Sequence, residues 1–330
     1  MVLAACCCVL VLLLALGAGA AYLFHTGSQG GAVTVTIPAG SSLHTVADVL
    51  ARHGVVPHAL AFEVRARLSG TGAGFKAGTY VLHVNEPYSA LSAALVAGAK
   101  PRTIKVTIPE GFTIAQTATL LRGKITGFPA KQYRKLAENY QGDVNVKGYK
   151  RGTTLQGLLF PATYDVLPAV TPSEFIGLQL AAFHANIAKV DMTRAAKANL
   201  TPYDVAIIAS LIEREARAAH DRAKIAAVIW NRLKTGMKLQ IDATVLYALG
   251  KHKDLVTYQD LKVVSPYNTY LHAGLPPTPI DNPGLATLAA AASPAAVDYL
   301  YYVGRNDGTG PLYFSNNYSQ FLKDGAKAQQ

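Results

Sequence analysis

The sequence predicts an α+β fold in three parts: an N-terminal transmembrane helix, small α+β modules, and a mixed domain of helices and a β-hairpin. Three observations predict it. They are an uncharged apolar segment at the start, a strand–turn–helix pattern that occurs twice, and a second half in which helical periodicity precedes an aromatic hairpin. The 330 residues suffice for two or three folding units. The predicted boundaries are 1–25 for the anchor, 26–32 for a linker, 33–150 for the α+β region with its repeat, and 151–330 for the last domain.

The apolar segment at residues 2–24 contains no charged side chain. A helix of this length spans roughly 34 Å, enough to cross a bilayer core. A cleaved signal peptide is the alternative, because Ala18-Gly19-Ala20 resembles a cleavage site. Charge does not orient the segment, since no Lys or Arg precedes it and the next one is Arg52. All three cysteines lie here, at positions 6–8, so none is left for a disulfide or a metal site in the folded region.

The net charge of +11 favours an anionic partner. The basic residues are scattered along the chain, and no run is dense enough for a nucleic-acid-binding arm. The charge therefore favours a membrane surface or an anionic polymer over nucleic acid, and a soluble basic domain whose charge has no binding role is the alternative.

The repeat consists of residues 35–43 (VTIPAGSSL) and 106–114 (VTIPEGFTI). Each copy has a β-branched strand, a Pro-x-Gly turn and a Ser or Thr before a helix. Ser42 and Thr113 are the predicted N-caps. Between the copies the sequence predicts helices at 59–68 and 89–97 and a strand at 78–84.

The second half is predicted to be helical first and irregular later. Thr201 and Pro202 carry the signature of a helix start, with a capping residue followed by Pro at the first helical position. The predicted elements are one helix over 172–197, a helix from Pro202, a break at 220–221, a helix over 222–234 ended by Gly236, polar and aromatic loops over 240–284, and a hairpin of 299–303 with 312–315.

One glutamate lies on the apolar face of the helix that begins at Pro202. Ile208, Leu211 and Glu215 occupy positions i, i+3 and i+7, so Glu215 points towards the core. Glu213 lies about 200° away around the helix and can pair with Arg217 at i+4. Burial disfavours the charged form of a carboxyl group. Glu215 is therefore a candidate proton donor.

A structural role for Glu215 is the alternative, as the buried partner of an arginine such as Arg232 on the next helix. The sequence offers no other chemistry: there is no HExxH motif, paired His–Cys spacing, G-x-S-x-G elbow or Walker loop. We therefore expect no metal and no cofactor.

Several segments together resemble the endolytic murein transglycosylase family (MltG, or YceG-like). The match covers the chain from about residue 33, with the expected spacing between segments. The segments are KAGTY (76–80), IPEGFT (108–113), LQGLLFPATY (155–164), IASLIEREA (208–216), VIWNRLKTGMKLQIDATVLY (228–247), SPYNTYLHAGLPPTPIDNPG (265–284), DYLYYV (298–303) and YFSNNY (313–318).

The resemblance implies a single-pass protein of the cytoplasmic (inner) membrane, with a LysM-like module and a catalytic domain on the outer side. A plain spacer is the alternative for the module. The implied activity is cleavage of the β-1,4 bond between N-acetylmuramic acid and N-acetylglucosamine in nascent glycan strands. Such an enzyme sets strand length, leaves 1,6-anhydro ends, and has cell-wall synthases as expected partners.

The resemblance also implies roles for particular residues. The family's catalytic acid is the second glutamate of an E-x-E pair, which is Glu215 here; Glu213 is a candidate for an assisting role. Glu215 would protonate the leaving oxygen, and the 6-hydroxyl of the sugar would attack the anomeric carbon. A hydrolase of the same bond and a non-catalytic glycan-binding scaffold remain the alternatives.

Polar and aromatic residues after the catalytic helix are predicted to line the substrate groove, although structural turns would also explain these loops. Four positions differ from the residues that are common in the family: Gln156, Ala162, Ile241 and Ala243. The predicted groove residues are Gln240, Asp242, Thr244, Tyr267, Asn268, Thr269 and Tyr270, with Asn231 and Arg232 supporting them from behind.

Overall fold

The computed structural model describes residues 28–99, 103–250, 253, 255–304 and 312–328. The chain forms two compact units, one up to Arg102 and one from Thr103. Each has its own buried core.

The first unit is a small α+β structure around one antiparallel strand pair. Its strands pair from Ala32 opposite His83 to Ile37 opposite Gly78. The helix after the first strand starts at the predicted cap, where the Ser42 hydroxyl accepts a hydrogen bond from the Thr45 N–H (3.1 Å). The elements are β1 (Ala32–Ile37), α1 (Leu43–Arg52), α2 (Ala59–Leu68), β2 (Gly78–His83) and α3 (Tyr88–Ala97).

The second unit begins with the same order of elements. Its first strand pairs antiparallel with its second, from Ile104 opposite Val166 to Thr107 opposite Thr163. The predicted repeat is thus confirmed at the level of strand, turn and helix, and each copy continues into a second helix and a closing strand. The elements are β3 (Ile104–Thr107), α4 (Ile114–Lys124), α5 (Ala130–Glu138) and β4 (Thr163–Val166).

The Pro-x-Gly turns of the two copies share one backbone conformation. Gly40 has φ 74° and Gly111 has φ 73°, in the left-handed region that glycine adopts without a steric penalty. In the second copy Thr113 and Gln116 form a reciprocal capping box.

The boundary between the units differs from the predicted one at 150/151. The second copy belongs to the second unit, because β3 pairs with β4 far along the chain and Val106, Leu121 and Tyr133 are fully buried in that unit's core. The similarity between the two copies does not reveal to which unit the second copy belongs, because this depends on the distant segments that pack against it.

Helix α8 is the most buried helix after β4, and its residues from Val205 to Ile212 are all buried. It packs against α9, α10 and α11. The elements after β4 are α6 (Pro172–Ile187), α7 (Thr193–Lys197), α8 (Pro202–Glu215), α9 (Arg222–Lys234), α10 (Asp242–Leu249), α11 (Leu285–Ala292), β5 (Tyr301–Val303), β6 (Tyr313–Ser315) and α12 (Tyr318–Ala328).

Two predictions about these elements were wrong. The helix expected over 172–197 is two helices, because the Asp191 side chain accepts from the Thr193 N–H (2.9 Å) and starts a new turn there. The loop expected from Gln240 contains α10, which is a regular helix packed on α8. The predicted hairpin is confirmed, with β5 antiparallel to β6 and Tyr301 opposite Ser315.

No helix among the described residues is long and apolar enough to cross a membrane. The anchor predicted at residues 2–24 lies outside the described residues.

Candidate active site

Glu215 is the last residue of the central helix α8. The helix starts at a capping box between Thr201 and Asp204, with Pro202 at its first position, as the sequence predicted. At Ala216 the backbone becomes extended, so the chain turns away directly after Glu215. A buried helix thus ends in a half-buried glutamate.

One hydrogen bond orients the Glu215 carboxyl group. The Tyr302 hydroxyl, from strand β5, donates to Oε2 of Glu215 at 3.0 Å. Burial and the nearby Glu215 charge raise the pKa of Tyr302 well above its ordinary value, so this phenol remains a proton donor. No hydrogen bond joins Oε1 to any other described residue, so this oxygen can interact with a bound molecule.

The surroundings raise the pKa of Glu215 to about 7. Burial is the main cause, and the negative charge of Asp242 adds to it. The hydrogen bond from Tyr302 opposes the shift, because it stabilises the carboxylate. A large fraction of Glu215 is therefore protonated near neutral pH.

Asp242 and Tyr270 complete this side of the site. Asp242 is exposed at the start of α10, and the Tyr270 hydroxyl donates to its Oδ1 at 2.5 Å. The pKa of Tyr270 is raised by burial first and then by the charges of Asp242 and Glu215. The structure thus brings together Glu215 and two of the predicted groove residues.

Arg232 is not the ion-pair partner of Glu215 that the sequence allowed. Its guanidinium donates to the carbonyl oxygens of Leu300 (2.7 Å) and Leu239 (2.6 Å) and lies over the Tyr301 ring, 5.4 Å from its centroid. Burial lowers the pKa of Arg232. These contacts fix the strand that carries Tyr302.

Asn231 acts on the segment before that strand. Its side-chain amide donates to the carbonyl oxygens of Val297 (3.0 Å) and Tyr299 (2.9 Å). Asn231 and Arg232 therefore both hold the hairpin against α9, behind the groups that can reach a substrate.

Three predicted groove residues are buried structural residues. Asn268 and Thr244 are 0 % exposed and Thr269 is 2 % exposed, and the polar atoms of all three side chains are already used in hydrogen bonds within the protein. The Thr244 and Thr269 hydroxyls bond each other at 2.9 Å, and the Asn268 amide donates to two backbone carbonyls. Their polar side chains satisfy buried backbone groups, which the sequence pattern could not distinguish from sugar contacts.

The last two predicted groove residues, Gln240 and Tyr267, are both at least partly accessible. Gln240 is exposed with φ 50°, and its N–H donates to the Thr269 carbonyl at 3.1 Å. The Tyr267 hydroxyl bonds that of Thr278 at 2.7 Å, and its ring packs on Tyr247 at 4.9 Å between centroids. Both help to shape the loop between α10 and α11.

Glu213 points to a different part of the unit. Its Oε2 accepts hydrogen bonds from the Gly284 N–H (3.1 Å) and the Thr287 hydroxyl (2.5 Å) at the start of α11. Its charge helps to raise the pKa values of Asp281 and Glu110, after burial as the main cause for each. Glu213 therefore joins α8 to the start of α11. The i+4 spacing had suggested a pair with Arg217 within its own helix.

No group of three or more His, Cys, Asp or Glu side chains among the described residues could hold a metal ion. Two important residues escaped the sequence analysis. Tyr302 sits in the quoted segment DYLYYV, where only the strand pairing reveals which tyrosine meets Glu215. Asp281 follows a proline-rich turn, and its complete burial is a tertiary property.

A protonatable acid at the end of a core helix, held by a tyrosine and close to an exposed carboxylate, defines an acid–base site suited to glycosidic bonds. The sequence comparison agrees with this class. The chain belongs to the YceG-like family, whose sequence profile matches residues 35–327.

Characterised relatives and a solved structure resemble the chain over most of its length. The endolytic murein transglycosylase of Bacillus subtilis strain 168 is 35% identical over 290 residues, which are 84% of this chain and 79% of that protein. The protein of the same name from Streptococcus pneumoniae D39 is 34% identical, over 86% of this chain and 56% of its own length. A 2.6 Å crystal structure of a YceG-like protein from Listeria monocytogenes has a TM-score of 0.59 and 33% identity, and covers 89% of this chain and 99% of that one.

Proposed function

We propose that this protein is an endolytic murein lytic transglycosylase that cleaves the β-1,4 bond between N-acetylmuramic acid and N-acetylglucosamine. The observation that carries the proposal is the Glu215 carboxyl group, which has a pKa of about 7 and is oriented by Tyr302. The names of the relatives from Bacillus and Streptococcus support it.

The reaction needs one acid that can also accept a proton. Glu215, protonated on Oε1, gives its proton to the glycosidic oxygen as the bond from the anomeric carbon to that oxygen breaks. The 6-hydroxyl of the same muramoyl unit then forms a bond to the anomeric carbon, and its proton returns to Glu215. The product ends in 1,6-anhydro-N-acetylmuramic acid and no water is consumed. Asp242 and Tyr270 face the same acid and, with Gln240 and Tyr267, are the remaining accessible candidates for contact with the strand.

The cellular setting belongs to the same proposal. Residues 2–24 would anchor the protein in the cytoplasmic membrane, with the described units on the outer side, where nascent strands and their synthases lie. Cutting within such strands would set their length. The first unit, whose order is strand, helix, helix, strand, would serve as a LysM-like glycan-binding module.

A hydrolase is the second candidate, because of Asp242. Hydrolysis of glycosidic bonds ordinarily uses two carboxyl groups, and Asp242 is an exposed carboxylate that interacts electrostatically with Glu215. In that reaction the product would be a reducing N-acetylmuramic acid.

Mass spectrometry of the products from purified uncrosslinked glycan strands tests the proposal. Wild-type protein should release anhydro-ended fragments, and a Glu215→Gln variant should release none above background. Reducing ends from the wild type would identify the hydrolase. Strands that stay intact with both proteins, yet bind to them, would make the protein a glycan-binding scaffold.

A further inference from the structure

A cavity of about 610 Å³ lies between the second copy of the repeat and the helices that carry the candidate active site. On α8 and on α10, a lining residue is the sequence neighbour of a site residue. Arg214 precedes Glu215, and Ala243 follows Asp242. Consecutive Cα atoms are only about 3.8 Å apart. The repeat contributes the start of α4, part of α5 and the loop before β4, and the rest of the wall comes from α8, α10 and the turn before α11. Its charged and amide side chains include Arg134, Glu138, Gln156, Arg214 and Asp281.

Two buried polar side chains in the wall have atoms without a protein partner. Gln156 is 2 % exposed; its Oε1 accepts from the Ile114 N–H at 3.0 Å, but its Nε2 has no hydrogen-bond partner among the described residues. Asp281 is 0 % exposed, and neither of its carboxyl oxygens has a partner there. Buried polar atoms are ordinarily satisfied, so two exceptions in one cavity wall indicate a ligand.

The polar groups that remain available are hydrogen-bond donors. The Gln156 Nε2 carries two N–H groups. Burial, and then the charge of Glu213, raise the pKa of Asp281 well above its ordinary value, which favours the protonated carboxyl group with an O–H to donate. Donors of this kind suit an acceptor such as a carboxylate.

The charges at the cavity agree with an anionic ligand. Arg134 is neutralised by Glu138, with which it forms an ion pair at 2.6 Å. Arg214 is exposed and forms no ion pair within the described part of the chain, and its charge acts on both Glu215 and Asp281, whose pKa values it lowers. Because the wall next to these groups is apolar, the ligand should combine a carboxylate with aliphatic surface. The apolar lining comes from Ile114, Ala243, Leu246, Tyr247 and Ile280.

We propose that this cavity binds the carboxylate-bearing peptide that each N-acetylmuramoyl unit of a nascent strand carries, with Arg214, Gln156 and Asp281 holding the carboxylate. The proposal rests on the proposed function for the identity of the strand. A peptide anchored here would place its muramoyl unit beside Glu215. The cavity would then make the enzyme select strands that carry peptides over bare glycan.

Binding by an inactive protein tests this independently of cleavage. The full chain carrying Glu215→Gln would be titrated calorimetrically with a peptide-bearing glycan tetrasaccharide and with the same tetrasaccharide whose peptide carboxylates have been converted to amides, because removal of the peptides by amidase would leave a lactyl carboxylate on each muramoyl unit. We expect the first to bind about tenfold more tightly, the ratio that one charge-assisted contact supplies.

Two further substitutions in that background locate the effect. Arg214→Gln removes an exposed charge, and the nearly isosteric Gln156→Glu keeps the acceptor for the Ile114 N–H but replaces the donor with a carboxyl group. Each should reduce the preference to about twofold or less. Arg122→Gln, at an exposed site of α4 outside the cavity, is the matched control and should leave the preference unchanged.

Equal dissociation constants for the two tetrasaccharides, no binding of either, or a preference that survives both substitutions would overturn the proposal. The cleavage assay with the wild type reports separately on the proposed function. A binding preference without any cleavage would contradict the proposed transglycosylase activity but support the peptide-binding cavity. Cleavage without a binding preference would support the activity and contradict the peptide-binding cavity.

Discussion

The two sides of the end of helix α8 carry the same kind of residue in opposite circumstances. On one side, Glu215 meets the hairpin and, among the described residues, accepts one hydrogen bond, from Tyr302. On the other side, Glu213 meets the start of α11 and accepts two, from Gly284 and Thr287. A satisfied carboxylate joins two helices, whereas a desolvated one with an oxygen to spare can transfer a proton. The neighbouring elements, and not the residue type, separate the two roles.

The largest effect should come from removing the acid at Glu215. Glu215→Gln keeps the acceptor for Tyr302 but removes the proton, so the rate of strand cleavage should fall about a thousandfold. The measurement is the initial rate of fragment release, with thermal unfolding as a check on the fold. A rate within tenfold of wild type would assign the chemistry elsewhere.

The next effect concerns Tyr302, which orients Glu215. Tyr302→Phe should lower kcat/KM about tenfold, because one hydrogen bond of about 1.4 kcal/mol is lost. That hydrogen bond lowers the pKa of Glu215, so its removal should also move the alkaline limb of the pH profile to higher pH.

Tyr299→Phe on the same hairpin is the matched control. Its ring stacks on Phe314, and its hydroxyl makes no hydrogen bond within the described part of the chain. A limb that moves to lower pH in Tyr302→Phe, or an equal loss of activity in Tyr299→Phe, would contradict the orienting role.

The pH profile of the wild type gives a third test of the Glu215 side. The acid must be protonated to act, and its pKa is raised to about 7. The value of kcat/KM should therefore fall as the pH rises through about 7, by tenfold for each further unit. A rate that stays constant up to pH 9 would show that Glu215 is not the proton donor.

The smallest effect on activity is expected on the Glu213 side. Glu213→Ala leaves the Gly284 N–H and the Thr287 hydroxyl without their acceptor and should destabilise the second unit by about 1–3 kcal/mol. Glu213→Gln keeps an acceptor and removes a charge that disfavours ionisation of Asp281 and Glu110, so it should cost less.

Unfolding by urea measures the stability of both Glu213 variants, and their cleavage rates should stay within about threefold of wild type. A loss in Glu213→Gln as large as that in Glu215→Gln would make Glu213 a direct participant, and the contrast between the two sides of the helix would disappear.

Local patterns in the sequence were sufficient for much of the fold. The caps at Ser42, Thr113 and Thr201, the repeated strand–turn–helix and the hairpin all occur where they were predicted, because each depends on neighbouring residues. The spacing of apolar residues along α8 was likewise enough to single out Glu215. Predictions failed where distant contacts decide, as with the unit boundary and the burial of Thr244.

The sequence by itself determined which acid could be a proton donor, since helical periodicity places Glu215 and the core residues of α8 on one face. Only the tertiary structure decided that Tyr302 orients this acid, that Arg232 supports the hairpin, and that Asn268 and Thr269 are buried. The physical reason is that desolvation and hydrogen bonding depend on segments that are distant in the chain and meet only when the core forms.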